Sequence, residues 1–422
     1  MGRRPRHVPD MATAEQASAT RMWEAIVARA VNHRVDAVLL SGDIIDHDNR
    51  YYETTGPLER GILRLAEAGI PTYAVAGNHD WDVLPRILRQ LDTPLFHLLG
   101  QGGRWETKYL ERDGQRLLRI VGWSFPARYV RQSPLTDLQL APDPRVPTVG
   151  LLHAHVNDPL SDYAPVHLPE LQGRDVAVWV LGHIHKPAHW ESNGGSKVLY
   201  PGSPQALAPN EKGPHGPWLI EVERPNTARC QQWAMSLIRY DDLDVDLSGA
   251  AHPEEFESRV HAAIWAALEK AVSDGEPPQC LSLRLRFTGS TPLCGRLNAL
   301  AQPLEELDRS RQGVRAQIRP CVNLTRPAVN WGELSRRNDP AGALARALTA
   351  LEGDQDDKSV KELLQEATAR VKDVYAASSY AALSGRDPNP DREGVRLLLL
   401  QTGRQLLEEL RAQHPALSEP PL

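Results

Sequence analysis

Four short segments carry aspartate, asparagine and histidine side chains, and each stands where a predicted strand ends. Ser41-Gly42-Asp43 follows Val38-Leu39-Leu40, and Gly77-Asn78-His79-Asp80 follows Tyr73-Ala74-Val75. His153 follows Val149-Gly150-Leu151-Leu152, and Gly182-His183-Ile184-His185 follows Val178-Trp179-Val180-Leu181. Strand ends on an α/β scaffold are where open sheets gather chemical groups. Asp, Asn and imidazole together suit a pair of divalent metals. Hydrolysis of a phosphodiester needs a nucleophile, neutralisation of the phosphoryl oxygens and a proton for the departing oxygen. Two metals about 3.5–4 Å apart meet the first two needs by sharing a bridging hydroxide. Asp43 is the natural bridging ligand, because one carboxylate can bind two cations. Asn78 offers a neutral carbonyl oxygen, which keeps the site from becoming too anionic for phosphate. His183 and His185, two residues apart, should point the same way from an extended chain, and His153 should complete one metal's shell. His79 is placed to donate the proton, with Asp80 orienting its ring.

Taken singly, each segment has a bland explanation. Gly-Asp after a strand is usually a turn, and Asn or Asp in such turns is common for local reasons. A His-x-His pair is as often an exposed strand end as a ligand pair. All four in this order, each at a strand end, argue for a site. His155 reads as a residue behind the ligands or facing solvent. Asp46, His47 and Asp48 read as a solvated turn with Asp46 a helper to its loop, and His167 and His189 have no motif around them.

The elements that must position these groups follow from hydrophobic periodicity. Thr13 is expected to cap a helix carrying Met22, Ile26, Val27 and Ala30, followed by a strand over 35–40. A second helix with Leu58, Ile62, Leu65 and Ala66 ends at Gly69 and leads into a strand over 70–75. Further strands are expected at 117–121, 148–152, 176–181, 197–200 and 218–222, and such alternation argues for an α/β layered domain. A smaller unit follows. Phe256, Val260, Ile264, Leu268 and Val272 recur at helical spacing, and Leu281, Leu283, Leu285 and Phe287 alternate as a half-buried strand. A helix over 293–300, a strand over 314–318 and a charged helical region from Asn338 complete the pattern. The expected division is a first domain over 1–225, an α/β cap over 226–325 and a helical region over 326–422.

A chain of 422 residues is long enough for two or three domains with proper cores. A net charge of −6 gives no global field for a polyanion, so a nucleic-acid surface would have to be a local basic patch. Cys230, Cys280, Cys294 and Cys321 show no paired spacing, which disfavours a zinc-thiolate site and fits reduced thiols. The basic opening, Met1 to Asp10, lacks an apolar stretch, and Leu397 to Leu400 is too short to cross a bilayer. A cytoplasmic protein without membrane contact is expected. No Gly-rich loop with Lys-Ser/Thr appears, so any ATP hydrolysis would come from a partner.

The order Gly-Asp, Gly-Asn-His-Asp, His, Gly-His-x-His resembles the calcineurin-like metallophosphoesterases. Within them the chain looks like the SbcD-type DNA repair exonucleases. Tyr200-Pro201-Gly202-Ser203-Pro204 and Asn210-Glu211-Lys212-Gly213, leading into Trp218 to Val222, resemble that subfamily's closing segment. The resemblance implies a sandwich of mixed sheets flanked by helices, rather than the doubly wound sheet that alternation alone suggests. It implies one metal held by Asp43, Asn78, His153 and His183, and another sharing Asp43 and taking His185, with manganese the usual metal. It gives His79 the role of assisting leaving-group departure. It further implies DNA as substrate, a coiled-coil ATPase partner of the SbcC type docked on C-terminal helices, and a homodimer. The amphipathic helix around Leu399 to Leu410 fits such docking, and packing on its own domain explains it equally well.

The chain departs from the family at its start. The family opens with a strand ending Asp-x-His, whereas Met1-Gly2-Arg3-Arg4 resembles the segment just after that motif. Two ligands expected for the second metal are therefore not found, and an upstream start codon is the expected explanation, a one-metal or non-catalytic relative the alternative. Arg3, Arg4 and Arg6 are candidates for phosphate contact, ahead of Arg284, Arg286, Arg315 and Arg319 in the cap. Alternatives to a DNA exonuclease are a small-molecule phosphoesterase and a weakly active structural subunit of an ATPase complex.

Overall fold

The computed structural model describes residues 4–5, 10–46, 52–141, 143, 145–191, 195–224, 227–274, 276–306, 309–328, 331–353, 358–376 and 392–413. Arg3, Arg6, His47 and Asp48 lie outside the described residues. The chain runs α1 (Met11–Gln16), α2 (Ala19–His33), β1 (Val38–Leu40), α3 (Tyr52–Glu67), β2 (Thr72–Ala74), α4 (Leu84–Gln90) and β3 (Phe96–Leu98). It continues through β4 (Glu106–Arg112), β5 (Gln115–Trp123), β6 (Thr148–His153), β7 (His155–Val156), β8 (Pro165–Val166), α5 (Leu168–Gln172), β9 (Val178–Gly182), β10 (Ala188–Trp190) and β11 (Lys197–Tyr200). A hairpin of β12 (Trp218–Arg224) and β13 (Thr227–Gln232) follows.

Two sheets build the region that holds the motifs. β1, β2 and β3 pair in parallel in that order. The second sheet runs β10-β11-β9-β6-β5-β4. Its central pairs are parallel, and antiparallel partners close both ends, β4 on β5 and β10 on β11. The sheet is therefore mixed, as the family resemblance implies. Short turns such as Asp113-Gly114, with positive φ at both residues, permit the antiparallel return at β4–β5.

Period-two alternation decides which side chains meet. Tyr73 and Val75 join Val149, Leu151, Val178 and Val180 in one buried cluster between the sheets. Ala74 and Ala76 face the opposite way, into a cluster with Val27 of α2, Leu58, Ile62 and Leu65 of α3 and Leu84 of α4. Leu152, Trp179 and Leu181 turn to a third cluster with Leu171 of α5 and Phe125. β2, β6 and β9 are thus buried on both faces.

Local capping differs from expectation at the first helix. Asp10, not Thr13, caps α1 by accepting from the Thr13 N–H at 2.7 Å, and Ser18 caps α2. The helix expected over 293–300 is a 3₁₀ turn at Cys294–Arg296 followed by a helix at Leu297–Ala301.

The remaining elements are β14 (Ile238–Asp246), α6 (Pro253–Ser273), β15 (Cys280–Thr288), α7 (Leu297–Ala301), β16 (Arg309–Arg311), β17 (Val314–Asn323), α8 (Trp331–Leu334), α9 (Pro340–Glu352), α10 (Lys358–Ala376) and α11 (Arg392–Gln413). The four strands form one sheet, β14-β15-β17-β16. Phe256, Val260, Ile264 and Leu268 of α6 are buried, as their spacing predicts. Two compact units result: 1–241 with 268–282 and 309–317, and 242–267 with 283–308 and 318–422. In the second, α9, α10 and α11 share a core of Ala345, Leu348, Val360, Leu364, Leu400 and Leu407. No helix among the described residues is long and apolar enough to cross a membrane.

Candidate metal centre

The motif residues converge at the ends of β1, β2, β6 and β9. His153, the last residue of β6, is fully buried and in register with Gly182 of β9. Its Nδ1 lies 2.9 Å from the Ser41 carbonyl, so the proton sits there and Nε2 keeps the lone pair. That Nε2 stands 3.0 Å from Asn78 Oδ1 and 3.3 Å from Asp43 Oδ2. The other Asp43 oxygen accepts the His79 backbone N–H at 2.8 Å. Three lone-pair atoms thus face one another in a buried place, and only a proton or a cation reconciles them. This donor set fits a divalent metal. A backbone carbonyl on the far nitrogen of a ligating imidazole is also how metal sites fix ring orientation.

Backbone geometry supports the same centre. Asp43 and His183 adopt φ of 52° and 95°, a left-handed region that non-glycine residues seldom occupy and that clusters at functional sites. A Cβ at Gly77 would overlap the Asp43 carboxylate, and one at Gly182 would overlap the Ser41 carbonyl and the His153 ring. Both glycines allow the strand-end loops to close on one another.

Asp80 is fully buried and ties these loops together. Its Oδ2 accepts from Ile44 N at 2.7 Å and Ile45 N at 3.3 Å, and its Oδ1 from Gly77 N at 2.8 Å and Asp43 N at 3.3 Å. The expectation that Asp80 orients His79 is corrected. His79 Nδ1 lies 3.0 Å from Asp46 Oδ1 instead, because the Asp80 oxygens are directed at backbone donors. Asp46, read from sequence as a turn residue, is buried and holds the candidate proton donor, whose side chain is 32% exposed.

His183 and His185 do not leave β9 as an extended pair. The strand ends at Gly182, and the positive φ of His183 turns the chain. The His183 ring packs against His153 (centroids 5.4 Å apart), His155 (5.1 Å) and Tyr163 (4.8 Å). The His185 ring meets Glu211, with Nδ1 2.9 Å from Oε1. Among the described residues no group of three His, Cys, Asp or Glu side chains is arranged to hold a metal without other donors. The convergent trio includes the Asn78 amide, and His183 touches it by ring contact.

Electrostatics follow the geometry. Burial works against the charge on Asp43, yet His153 and the His79 N–H hold its carboxyl well below the usual carboxylate range. Burial likewise opposes the charged form of His153, while Asp43 raises that ring above its ordinary value. Burial first, then repulsion from His153 and His155, pushes His183 down to about 3, which keeps it neutral with a lone pair to offer. Burial and the Asp43 carboxylate push Asp80 up to about 6, against the pull of its backbone donors.

Arg286 and Arg319 are engaged elsewhere. Arg286 forks onto Asp244 through two 2.6 Å bonds, and Arg319, buried, pairs with Asp242 at 3.4 Å. Arg4 pairs with Glu15 at 2.6 Å.

Comparison with known proteins bears on this constellation. The calcineurin-like phosphoesterase family matches residues 7–187, the stretch that holds every motif above. Residues 7–187 are thus similar to that family. Calcineurin-like metallophosphoesterases use divalent metals. The middle domain of metallophosphoesterase YhaO matches residues 240–320. Metallophosphoesterase YhaO of Bacillus subtilis is 30% identical over 277 residues, 64% of this chain and 61% of its own length. DNA double-strand break repair protein Mre11 of Methanopyrus kandleri is 25% identical over 266 residues, 56% of each chain. The chain thus spans roughly six-tenths of these relatives' lengths. A dimetal phosphatase from Danio rerio matches at 14% identity and a TM-score of 0.32, covering 50% of this chain and 88% of its own.

Proposed function

We propose that the chain is a metal-dependent phosphodiester hydrolase acting on DNA, an exonuclease of the repair type that uses two divalent metals, manganese in the cell. The observation that carries the reading is the approach of Asn78 and Asp43 to His153 Nε2, at 3.0 and 3.3 Å, inside a region similar to the calcineurin-like phosphoesterases. Similarity to Mre11 proteins favours DNA over a small phosphoester.

Asp43, Asn78, His153 and His183 would hold one metal, and Asp43 with His185 would contribute to the other. When bound, such metals supply positive charge for the phosphoryl oxygens and acidify water for attack. The protein's own part is orientation and proton supply. Asp46 holds His79 at Nδ1, which directs Nε2 outward to protonate the departing 3′ or 5′ oxygen. Asp80, by gripping four backbone N–H groups, fixes the loops that carry Asp43 and Asn78. A coiled-coil ATPase of the SbcC type and a second copy of the chain are the partners proposed, in the cytoplasm. Exposed Leu397, Leu398 and Leu406 on α11 support a docking role for that helix.

The test is digestion of end-labelled single- and double-stranded DNA by purified protein with manganese, with Asp43→Ala and His79→Ala as controls. Manganese-dependent release of nucleotides, abolished in Asp43→Ala and lowered about 10²–10⁴-fold in His79→Ala, is expected. Intact DNA alongside turnover of a cyclic nucleotide or phosphomonoester would move the reading to a small-molecule phosphoesterase.

A further inference from the structure

We propose that Glu211 is a positioning residue that sets the tautomer and direction of the His185 ring for metal ligation, an inference that rests on the two-metal reading above. Glu211 lies 26 residues beyond His185 in the closing segment, and nothing in the chemistry described so far uses it. It is buried, at 7% exposure, although an unpaired carboxylate at such depth is costly. Its partners are all specific. Oε1 stands 2.9 Å from His185 Nδ1, and Oε2 lies 2.7 Å from Leu207 N and 3.1 Å from Ser203 Oγ.

Ser203 also binds His185 through the backbone, its N–H donating to the His185 carbonyl at 2.8 Å. His185 is thus gripped at both carbonyl and ring by one segment, 203–211. His215 extends the anchor from behind, with Nδ1 2.8 Å from the Ser203 carbonyl, and is itself fully buried.

The consequence for the ring is chemical. An ionised carboxylate only accepts, so the neutral His185 imidazole must carry its proton on Nδ1. Nε2 then holds the lone pair, on a side chain that is 46% exposed. His153 is held in the same sense, Nδ1 to the Ser41 carbonyl and Nε2 toward Asp43 and Asn78. A carboxylate behind a ligating imidazole fixes orientation and raises its basicity, and removing one typically costs 10–100-fold in metal affinity.

The experiment uses the full chain labelled with ¹⁵N-histidine, without metal, at about pH 8, above the ordinary imidazole range. The signals lost in His185→Ala assign His185. The Nδ1–H tautomer is expected in the unmodified protein and in Glu211→Gln, whose amide oxygen still accepts, and the Nε2–H form in Glu211→Ala. Calorimetric titration with manganese should show Glu211→Ala weakened about 10–100-fold and Glu211→Gln nearer the unmodified protein. An Nε2–H His185 in the unmodified protein overturns the proposal, and this measurement stands even if Glu211→Ala does not fold. If His185→Ala weakens manganese binding while folded Glu211→Ala does not, the Glu211 proposal alone fails. If His185→Ala binds manganese like the unmodified protein, the two-metal reading fails at His185 instead.

Discussion

Replacing Asp46 separates the two aspartates that could serve His79. The Asp46 carboxylate lies 3.0 Å from His79 Nδ1, and the hydrogen bond joins groups that are both charged when His79 is ready to donate. Hydrogen bonds to charged groups contribute about 1.5–3 kcal/mol. The His79 side chain is 32% exposed, so water replaces part of the loss, and the lower half of that range, about 1.5–2 kcal/mol, applies. Asp46→Ala should therefore lower kcat about 10–30-fold, with KM little changed. His79→Ala should lose about 10²–10⁴-fold, the usual weight of a proton donor. Because Asp46 acts through His79, the double variant should match His79→Ala within about twofold. Asp80→Asn should behave differently, since its four backbone donors would then face an amide: a lowered melting temperature, from about 1–3 kcal/mol lost, accompanies any loss of rate. The assay is manganese-dependent cleavage of a labelled oligonucleotide or a chromogenic phosphodiester, paired with thermal unfolding. Full activity in Asp46→Ala, or a double variant a further tenfold below His79→Ala, would refute the assignment.

Two more outcomes follow from packing. Gly77→Ala should disrupt the centre from a position that bears no ligand, because the new methyl meets the Asp43 carboxylate; manganese affinity measured by calorimetry should fall at least tenfold, with about 1–3 kcal/mol of stability lost in urea unfolding. Burial pushes the Cys280 thiol up to about 12, so it stays protonated at neutral pH and should react with a thiol reagent only as the protein unfolds; mass spectrometry after brief labelling checks this.

Much of the scaffold was legible because strand periodicity is strong there. The apolar runs Val149 to Leu152 and Val178 to Leu181 predict strands, and alternate residues of each are found in two separate buried clusters. The strand-end placement of Asp43, Asn78, His153 and His183 followed from it. Strand periodicity failed where the chain leaves the strand. His183 takes a left-handed φ, so His183 and His185 are not the extended pair that their two-residue spacing suggests. Asp80 follows His79 in sequence, yet the turn points its carboxylate at the backbone of 43–45 and 77. Asp46 reaches the ring from 33 residues away. Glu211 and Ser203 had no visible role for the same reason: their partner, His185, is supplied by tertiary folding. The signal that could have found Asp46 is its place three residues after Asp43, in a loop that must close over the site. β4, one of the two antiparallel edges that make the large sheet mixed, was hidden by its polar sequence, Glu106 to Arg112, none of whose residues is fully buried.

The most direct test of the metal centre is anomalous diffraction at the manganese edge from crystals of the full chain grown with manganese. A peak coordinated by Asp43, Asn78 and His153, with His183 drawn into the same shell, is the predicted result. A fully occupied manganese site elsewhere, with Asp43 and His153 still bonded to each other and no peak between them, would contradict it.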